Sequence, residues 1–331
     1  MSKTFFIRRA SAFPHQGLYP LIGTGARVSL FLLLWSLIFW QLPGPVAAEP
    51  SGGGMPKMLR TGFLQRVFAE TDPRDAKAVL EIQGREVSRA LGLGSATQVT
   101  IFPDMQAMSA ALRRGELELV TMPTIEYLKL RKTVPLIPSF VAANNGGLGT
   151  RYLIITRKDS GIRTFADLRG RSMQLPSLAN HELGQLWLDF LLLKAGKGAR
   201  VSFFSQVKEP SRMFNAIMGV FLRQTDAAVI TRAVLDASRQ LNPQLEAQLT
   251  VVAESQNLSE GVTCLIPGTP EKFRNQLSRE IIRLNDTSGG RQMYTIFQSS
   301  GIRPFNAACL EGLEELVNDY DRLKALSGRR K

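Results

Sequence analysis

Histidine and cysteine are almost missing from this chain. Of its 331 residues two are histidine and two are cysteine. His15 falls in an N-terminal stretch with the make-up of an export signal. That leaves His181, Cys264 and Cys309 for any later site, too few for the usual zinc ligand sets. A Ser–His–Asp arrangement has only His181 to build on, and no G-x-S-x-G elbow is present. "GGLG" (146–149) precedes an apolar strand rather than a helix, the wrong context for a dinucleotide loop. No fixed-period repeat, no basic block interleaved with aromatics and no nucleic-acid motif occurs. An enzyme, a cofactor, a metal and a nucleic-acid partner are therefore not expected. After export the two cysteines meet an oxidising compartment, where a disulfide and two separate thiols both remain open.

Acidic residues are absent from the first 48 positions, which carry Lys3, Arg8, Arg9 and Arg27. The apolar run "VSLFLLLWSLIFW" (28–40) follows and is short for a membrane span, which needs about 20 residues. Val46 and Ala48 satisfy the small-residue rule for signal-peptidase cleavage, with Glu49 as the new first residue. The expectation is export of the chain to the periplasm with a signal at 1–48; an uncleaved N-terminal anchor is the alternative. "SGGG" within 49–56 reads as a flexible linker. Loss of the signal removes four of the charges behind the net +13 and leaves +9, a balance that favours anionic partners.

What remains is 44% hydrophobic over the full chain, enough for a normal core, and it alternates strand and helix. Strands are expected at 58–64, 97–102 and 117–122. Asp72 caps the first helix, with Pro73 at its first position and Gly92 past its end. Pro103–Asp104 and Pro123–Thr124 open two more helices. A second set begins with the strand 151–157. Thr164 and Asp167 then form a near capping box, and strands follow at "RSMQLP", 201–207, 226–232, 249–255 and 261–267, with a helix at 211–224. Helices at 270–284, 291–299 and 306–326 close the chain. This βα repetition predicts α/β lobes with ligand outside the carboxyl ends of the strands.

"ALRRGELELVTMPTIEYL" (111–128), "ITRKDSGIRTFADLRGRSM" (155–173), "TDAAVITRAVLDA" (225–237) and "VVAESQNLSEGVTCLIP" (251–267) stand in an order that resembles the periplasmic solute-binding proteins for phosphate, phosphite and phosphonate of ABC transporters. The resemblance runs from about residue 57 to 320. It implies the two-lobed type II periplasmic-binding-protein fold, each lobe a mostly parallel sheet flanked by helices, joined by two crossing strands. Lobe one is then 57–150 plus 255–331 and lobe two 151–254, with hinges near 149–152 and 252–256. The implied function is capture of a small, phosphate- or phosphonate-like anion by a monomer that delivers it to the membrane permease of an ABC importer. The alternative is a ligand-sensing or ligand-free module that works through a membrane signalling partner.

In that family the second-lobe helix opens on hydroxyl residues that grip the anion, helped by free N–H groups and the positive helix end. The matching stretch here is Asn180 to Gly184, where His181, Glu182 and Leu183 stand at the hydroxyl positions. The apolar stripe Leu183, Leu186, Trp187, Phe190 and Leu191 buries one face of this helix, and Asn180 is placed to cap it. A carboxylate in the first turn competes with an incoming dianion, so three readings stay open: a plain capped start, a cleft serving another ligand, and His181 as a proton-dependent gate or a single metal-coordinating group. Ser177 is the anion contact in an alternative register. Thr124, Tyr127 and Arg232 complete the candidate ligand set, with Phe63 and its following loop, Pro103–Asp104 and Thr121–Thr124 as further strand-end positions. Asp226 reads as structural. N-terminal sequencing of the exported protein is expected to begin at Glu49; a start at Met1 identifies the anchored form.

Overall fold

The computed structural model describes residues 55–68, 71–144, 147–177, 181–210, 212–297 and 299–328. The expected signal at 1–48 lies outside them. Twelve strands are described: β1 (Leu59–Leu64), β2 (Thr97–Phe102), β3 (Leu119–Pro123), β4 (Ile137–Asn144), β5 (Gly147–Leu148), β6 (Tyr152–Arg157), β7 (Ser172–Gln174), β8 (Gln206–Lys208), β9 (Ala227–Thr231), β10 (Leu249–Glu254), β11 (Gly261–Leu265) and β12 (Gly301–Pro304). The helices are α1 (Pro73–Ala90), α2 (Met105–Arg113), α3 (Thr124–Leu130), α4 (Glu182–Lys194), α5 (Arg200–Phe203), α6 (Met213–Phe221), α7 (Arg232–Leu241), α8 (Gln244–Gln248), α9 (Glu271–Arg283), α10 (Ser288–Thr295) and α11 (Ala308–Gly328). None is long and apolar enough to cross a membrane.

The strands form two sheets. The first runs β12-β4-β11-β3-β1-β2 with β5 on β4, and the second runs β10-β6-β9-β7-β8. In the first, β2, β1 and β3 are parallel, as βα crossovers require. There β11 pairs antiparallel to β3 and β4 because the chain re-enters this sheet from the second one. Strand alternation gives the first sheet two buried faces. Leu59, Phe63, Leu119 and Leu265 pack towards α1, α9 and α10 with Leu80, Leu277 and Met293. Leu64, Val120 and Met122 face the other way, with Met108 of α2 and Ile125 and Leu128 of α3.

Local chemistry sets most boundaries. Asp72 accepts from Arg74 N at 2.8 Å, and Pro73 leads α1. Gly92, at φ +76°, turns the chain out of it. Asp104 caps α2 through Ala107 N at 2.9 Å, and Thr164 and Asp167 complete a capping box over a short 3₁₀ turn. Asp226 is structural: its carboxylate accepts from Ser172 N at 2.8 Å and Oγ at 2.7 Å.

Several elements depart from the sequence expectation. The segment expected as a strand at 201–207 is helical over Arg200–Phe203 and becomes strand only at Gln206. Arg200 clamps Asp189 at 2.6 and 2.7 Å and Gln185 Oε1 at 2.7 Å, and Phe203 stacks on Phe165 at 5.5 Å. These contacts override β propensity. Strand β4 is central despite Pro138, because the register shifts between Thr263 and Cys264, where Pro138 is the partner of Cys264. The short β12 ends on Pro304 and carries no alternation signal. Helix α7 continues directly from β9, with Thr231 Oγ1 accepting from Val234 N at 3.3 Å.

Both cysteines are free thiols; Cys264 is buried on β11, and burial pushes its thiol up to about 12. Glu118, 3% exposed, accepts from Arg60 N at 2.7 Å and from its guanidinium at 2.5 and 3.0 Å. Glu118→Ala leaves a partly buried backbone N–H and a cation without their acceptor. It is expected to cost about 1–3 kcal/mol in urea unfolding; an unchanged midpoint contradicts this account.

Candidate functional site

The carboxyl ends of β1 and β3 meet the start of α4 and the two segments that link the sheets. After Leu64 the chain tightens into a 3₁₀ turn, Gln65–Phe68, that carries Arg66. The turn is held from below by Phe63, Phe68 and Phe297, whose ring centroids lie 5.5–6.1 Å apart. Arg66 Nη1 donates to Glu126 Oε1 at 3.1 Å, from the first turn of α3. Its Nη2 donates to Glu182, the first residue of α4. One guanidinium thus ties an element of the first sheet to an element of the second. Glu182 is further favoured where it stands by the positive helix end.

Beside this pair sits Glu260, just before β11. Its Oε1 accepts from Tyr152 Oη at 2.6 Å and its Oε2 from Thr150 Oγ1 at 2.9 Å. Tyr152 has no exposed surface. Burial, then the Glu260 charge and hydrogen bond, hold its phenol well above the usual range, so it stays a donor. A Cβ on Gly184 would lie 2.6 and 2.7 Å from atoms of the Tyr152 ring. The glycine is what lets the first turn of α4 close onto the tyrosine.

Arg66, Thr150, Tyr152, His181, Glu182 and Glu260 line one end of a cavity of about 220 Å³. Arg66 is the only Lys or Arg among its described lining residues, against the carboxylates Glu182 and Glu260. The arrangement offers hydrogen-bonding and charge but no activated nucleophile. Among the described residues no group of three or more His, Cys, Asp and Glu is placed to hold a metal.

The chain as a whole resembles known proteins. A family model described as the periplasmic substrate-binding protein of ABC phosphonate transporters matches residues 67–309. The chain belongs to this family. Its fold is the two-lobed α/β type of periplasmic binding proteins. XAC2383 from Xanthomonas citri, solved with bound ATP, superposes with a TM-score of 0.59 at 19% identity, over 82% of this chain and 99% of that one. A binding protein component of an ABC phosphonate transporter from Pseudomonas aeruginosa gives 0.54 at 15% identity, over 82% and 88%. PhnD1 from Prochlorococcus marinus, in complex with methylphosphonate, gives 0.53 at 15%, over 80% and 99%. A comparison with curated protein sequences finds no match.

Within this phosphonate-binding fold the residues singled out by sequence scatter. His181 and Glu182 line the cavity. His181 occupies the cap position of α4, makes no side-chain cap bond, and donates its backbone N–H to Ser177 O at 2.9 Å. Asn180 lies outside the described residues. Ser177 is half-buried and outside the cavity lining. Thr124 is fully buried, 3.4 Å from Ser259 Oγ, with its N–H on Glu260 O at 3.0 Å. Tyr127 is buried in the core beneath Arg131, and burial raises its phenol. Arg232 pairs with Glu254 at 2.6 Å and donates its backbone N–H to Arg151 O at 2.9 Å, beside the segments that link the sheets but outside the cavity lining. In α4, Leu183, Trp187, Leu188 and Leu192 are the buried apolar side chains, whereas Leu186, Phe190 and Leu191 are half-buried. This helix is sandwiched between the second sheet and α11, so a single stripe under-describes it.

Arg66 falls in the loop after Phe63 but has no motif of its own. Glu260 and Tyr152 are visible only through their pairing across 108 residues. Gly184→Ala is expected to destabilise the protein by about 1–3 kcal/mol through overpacking on the ring, read by urea unfolding. An unchanged midpoint would show that the ring yields freely.

Proposed function

We propose that this protein is an exported, monomeric, non-enzymatic binding component of an ABC importer, and that it captures a small anion between its lobes on Arg66. The lobes are taken as 57–150 plus 255–331 and 151–254, with hinges at 149–152 and 252–256. The pairing of Tyr152 with Ser255 (N to Oγ, 2.8 Å) and the bridge between Thr150 and Leu258 support that placement. The observation that carries the reading is that Arg66, the one Lys or Arg among the described lining residues, is shared between a carboxylate of each lobe. Glu182 occupies the position an anionic ligand takes at a helix start facing a guanidinium. Binding is therefore an exchange: the ligand replaces Glu182 on Arg66, and the lobes close around it.

The second reading, a sensor or ligand-free module acting on a membrane signalling partner, is favoured by the same ion pair, because Glu182 already satisfies Arg66 across the cleft. Calorimetric titration with methylphosphonate and inorganic phosphate separates the two. The exchange predicts that Glu182→Gln strengthens anion binding by about tenfold or more, in line with the roughly 1.5–3 kcal/mol of a charge-assisted hydrogen bond. Arg66→Ala is expected to abolish it. If neither anion binds the wild type or Glu182→Gln, the importer reading falls and the interaction module replaces it.

A further inference from the structure

The cavity at Arg66 does not end in the cleft. The same continuous space passes beneath the first sheet, between it and α1, α9 and α10, where Leu80, Leu119, Leu277, Ile281 and Met293 line it. Its volume of about 220 Å³ exceeds the roughly 150 Å³ apolar cavity that suffices to take up benzene. A methylphosphonate-sized anion at Arg66 would occupy only its mouth.

Two polar groups face this apolar interior. Gln83 on α1 is 5% exposed and Tyr294 on α10 is 4% exposed, and both line the cavity. Gln83 Oε1 and Tyr294 Oη have no hydrogen-bond partner among the described residues. Buried polar atoms are nearly always paired, and an unpaired one is costly. Burial also raises the Tyr294 phenol, which keeps it a neutral donor and acceptor. The amide oxygen asks for a donor and the phenol can use either, so a hydroxyl or an amide suits both.

We infer that cleft and interior form one site for an amphiphile: a polar head at the Arg66 mouth, a hydrocarbon body beneath the first sheet, and a hydroxyl or amide at its far end on Gln83 and Tyr294. The head rests on the anion reading above; the apolar channel does not. The occupant is a long, narrow molecule, because the space lies between a sheet and the helices packed on it. Its apolar body gains affinity in proportion to the area it removes from water.

Four probes test this by calorimetry: methylphosphonate, octylphosphonate, 8-hydroxyoctylphosphonate and 1-octanol. Octylphosphonate is expected to bind at least about tenfold tighter than methylphosphonate, and the terminal hydroxyl to add a further gain. Leu119→Trp, which fills the channel, should remove the advantage of the chain and leave methylphosphonate binding unchanged. Gln83→Met, close in shape and expected to fold normally, should remove only the preference for the terminal hydroxyl. Binding of 1-octanol equally to wild type and Arg66→Ala, with no phosphonate bound, supports the channel and sinks the anion reading. Methylphosphonate binding with no gain for either longer phosphonate overturns the channel and leaves the anion reading standing.

Discussion

A tyrosine with no exposed surface, Tyr152, donates to Glu260 at 2.6 Å at the point where the chain leaves one sheet for the other. Its backbone N–H meets Ser255 Oγ and its carbonyl accepts from Ser255 N, each at 2.8 Å, so the outgoing and returning segments are stitched together there. Its ring is also the floor on which Gly184, and with it the first turn of α4, rests. One residue therefore positions a carboxylate and a helix start through its side chain and both linking segments through its backbone. The phenol is fully buried while the Glu260 carboxylate reaches the surface, so loss of the acceptor leaves a buried donor unpaired, which is costly. The constraint is local, but everything at the mouth of the cavity inherits its placement from it.

Above that floor the electrostatics are those of an internal competition. The chain as a whole is strongly basic, which draws anions towards it at long range. At the mouth the balance reverses: Arg66 faces Glu126 and Glu182, with Glu260 close by in the same lining. In the exchange proposed above, an incoming anion gains nothing from Arg66 until Glu182 gives way. Because Glu182 belongs to an element of the other sheet, that exchange is coupled to the relative position of the two. The first turn of α4 carries this internal rival by covalent connection. On the inference drawn above, the apolar part of the cavity gives a ligand a second source of affinity, independent of the charge exchange.

The elements were legible where short-range chemistry decides them. Asp72–Pro73, Asp104, Thr164–Asp167 and Gly92 act within four residues of where they stand, and the boundaries fall accordingly. They were illegible where a distant partner decides. Arg200 turns a β-prone stretch into helix by reaching Asp189 and Gln185, and the register shift in β11 opposite Pro138 lets a proline-bearing segment run through the middle of a sheet. The same division applies to the site. His181 and Glu182 stood out because a helix start has a sequence signature. Thr124, Tyr127 and Arg232 had equally good strand-end or helix-start positions, and each is instead packed, capped or paired away from the cavity.

The alternation of strand and helix, the family, and a histidine and a carboxylate at the start of α4 can all be read along the chain. Those are properties of neighbouring residues: hydrophobic period, caps, and the order of short phrases. That Arg66 is the cation Glu182 meets, that Tyr152 and Glu260 hold the junction, and that Gln83 and Tyr294 line the same cavity emerge from the three-dimensional packing. Each of these depends on residues tens to more than a hundred positions apart, joined by packing that no local pattern encodes. A side chain's charge is legible in one dimension; which partner neutralises it, and what space it borders, is set by the fold.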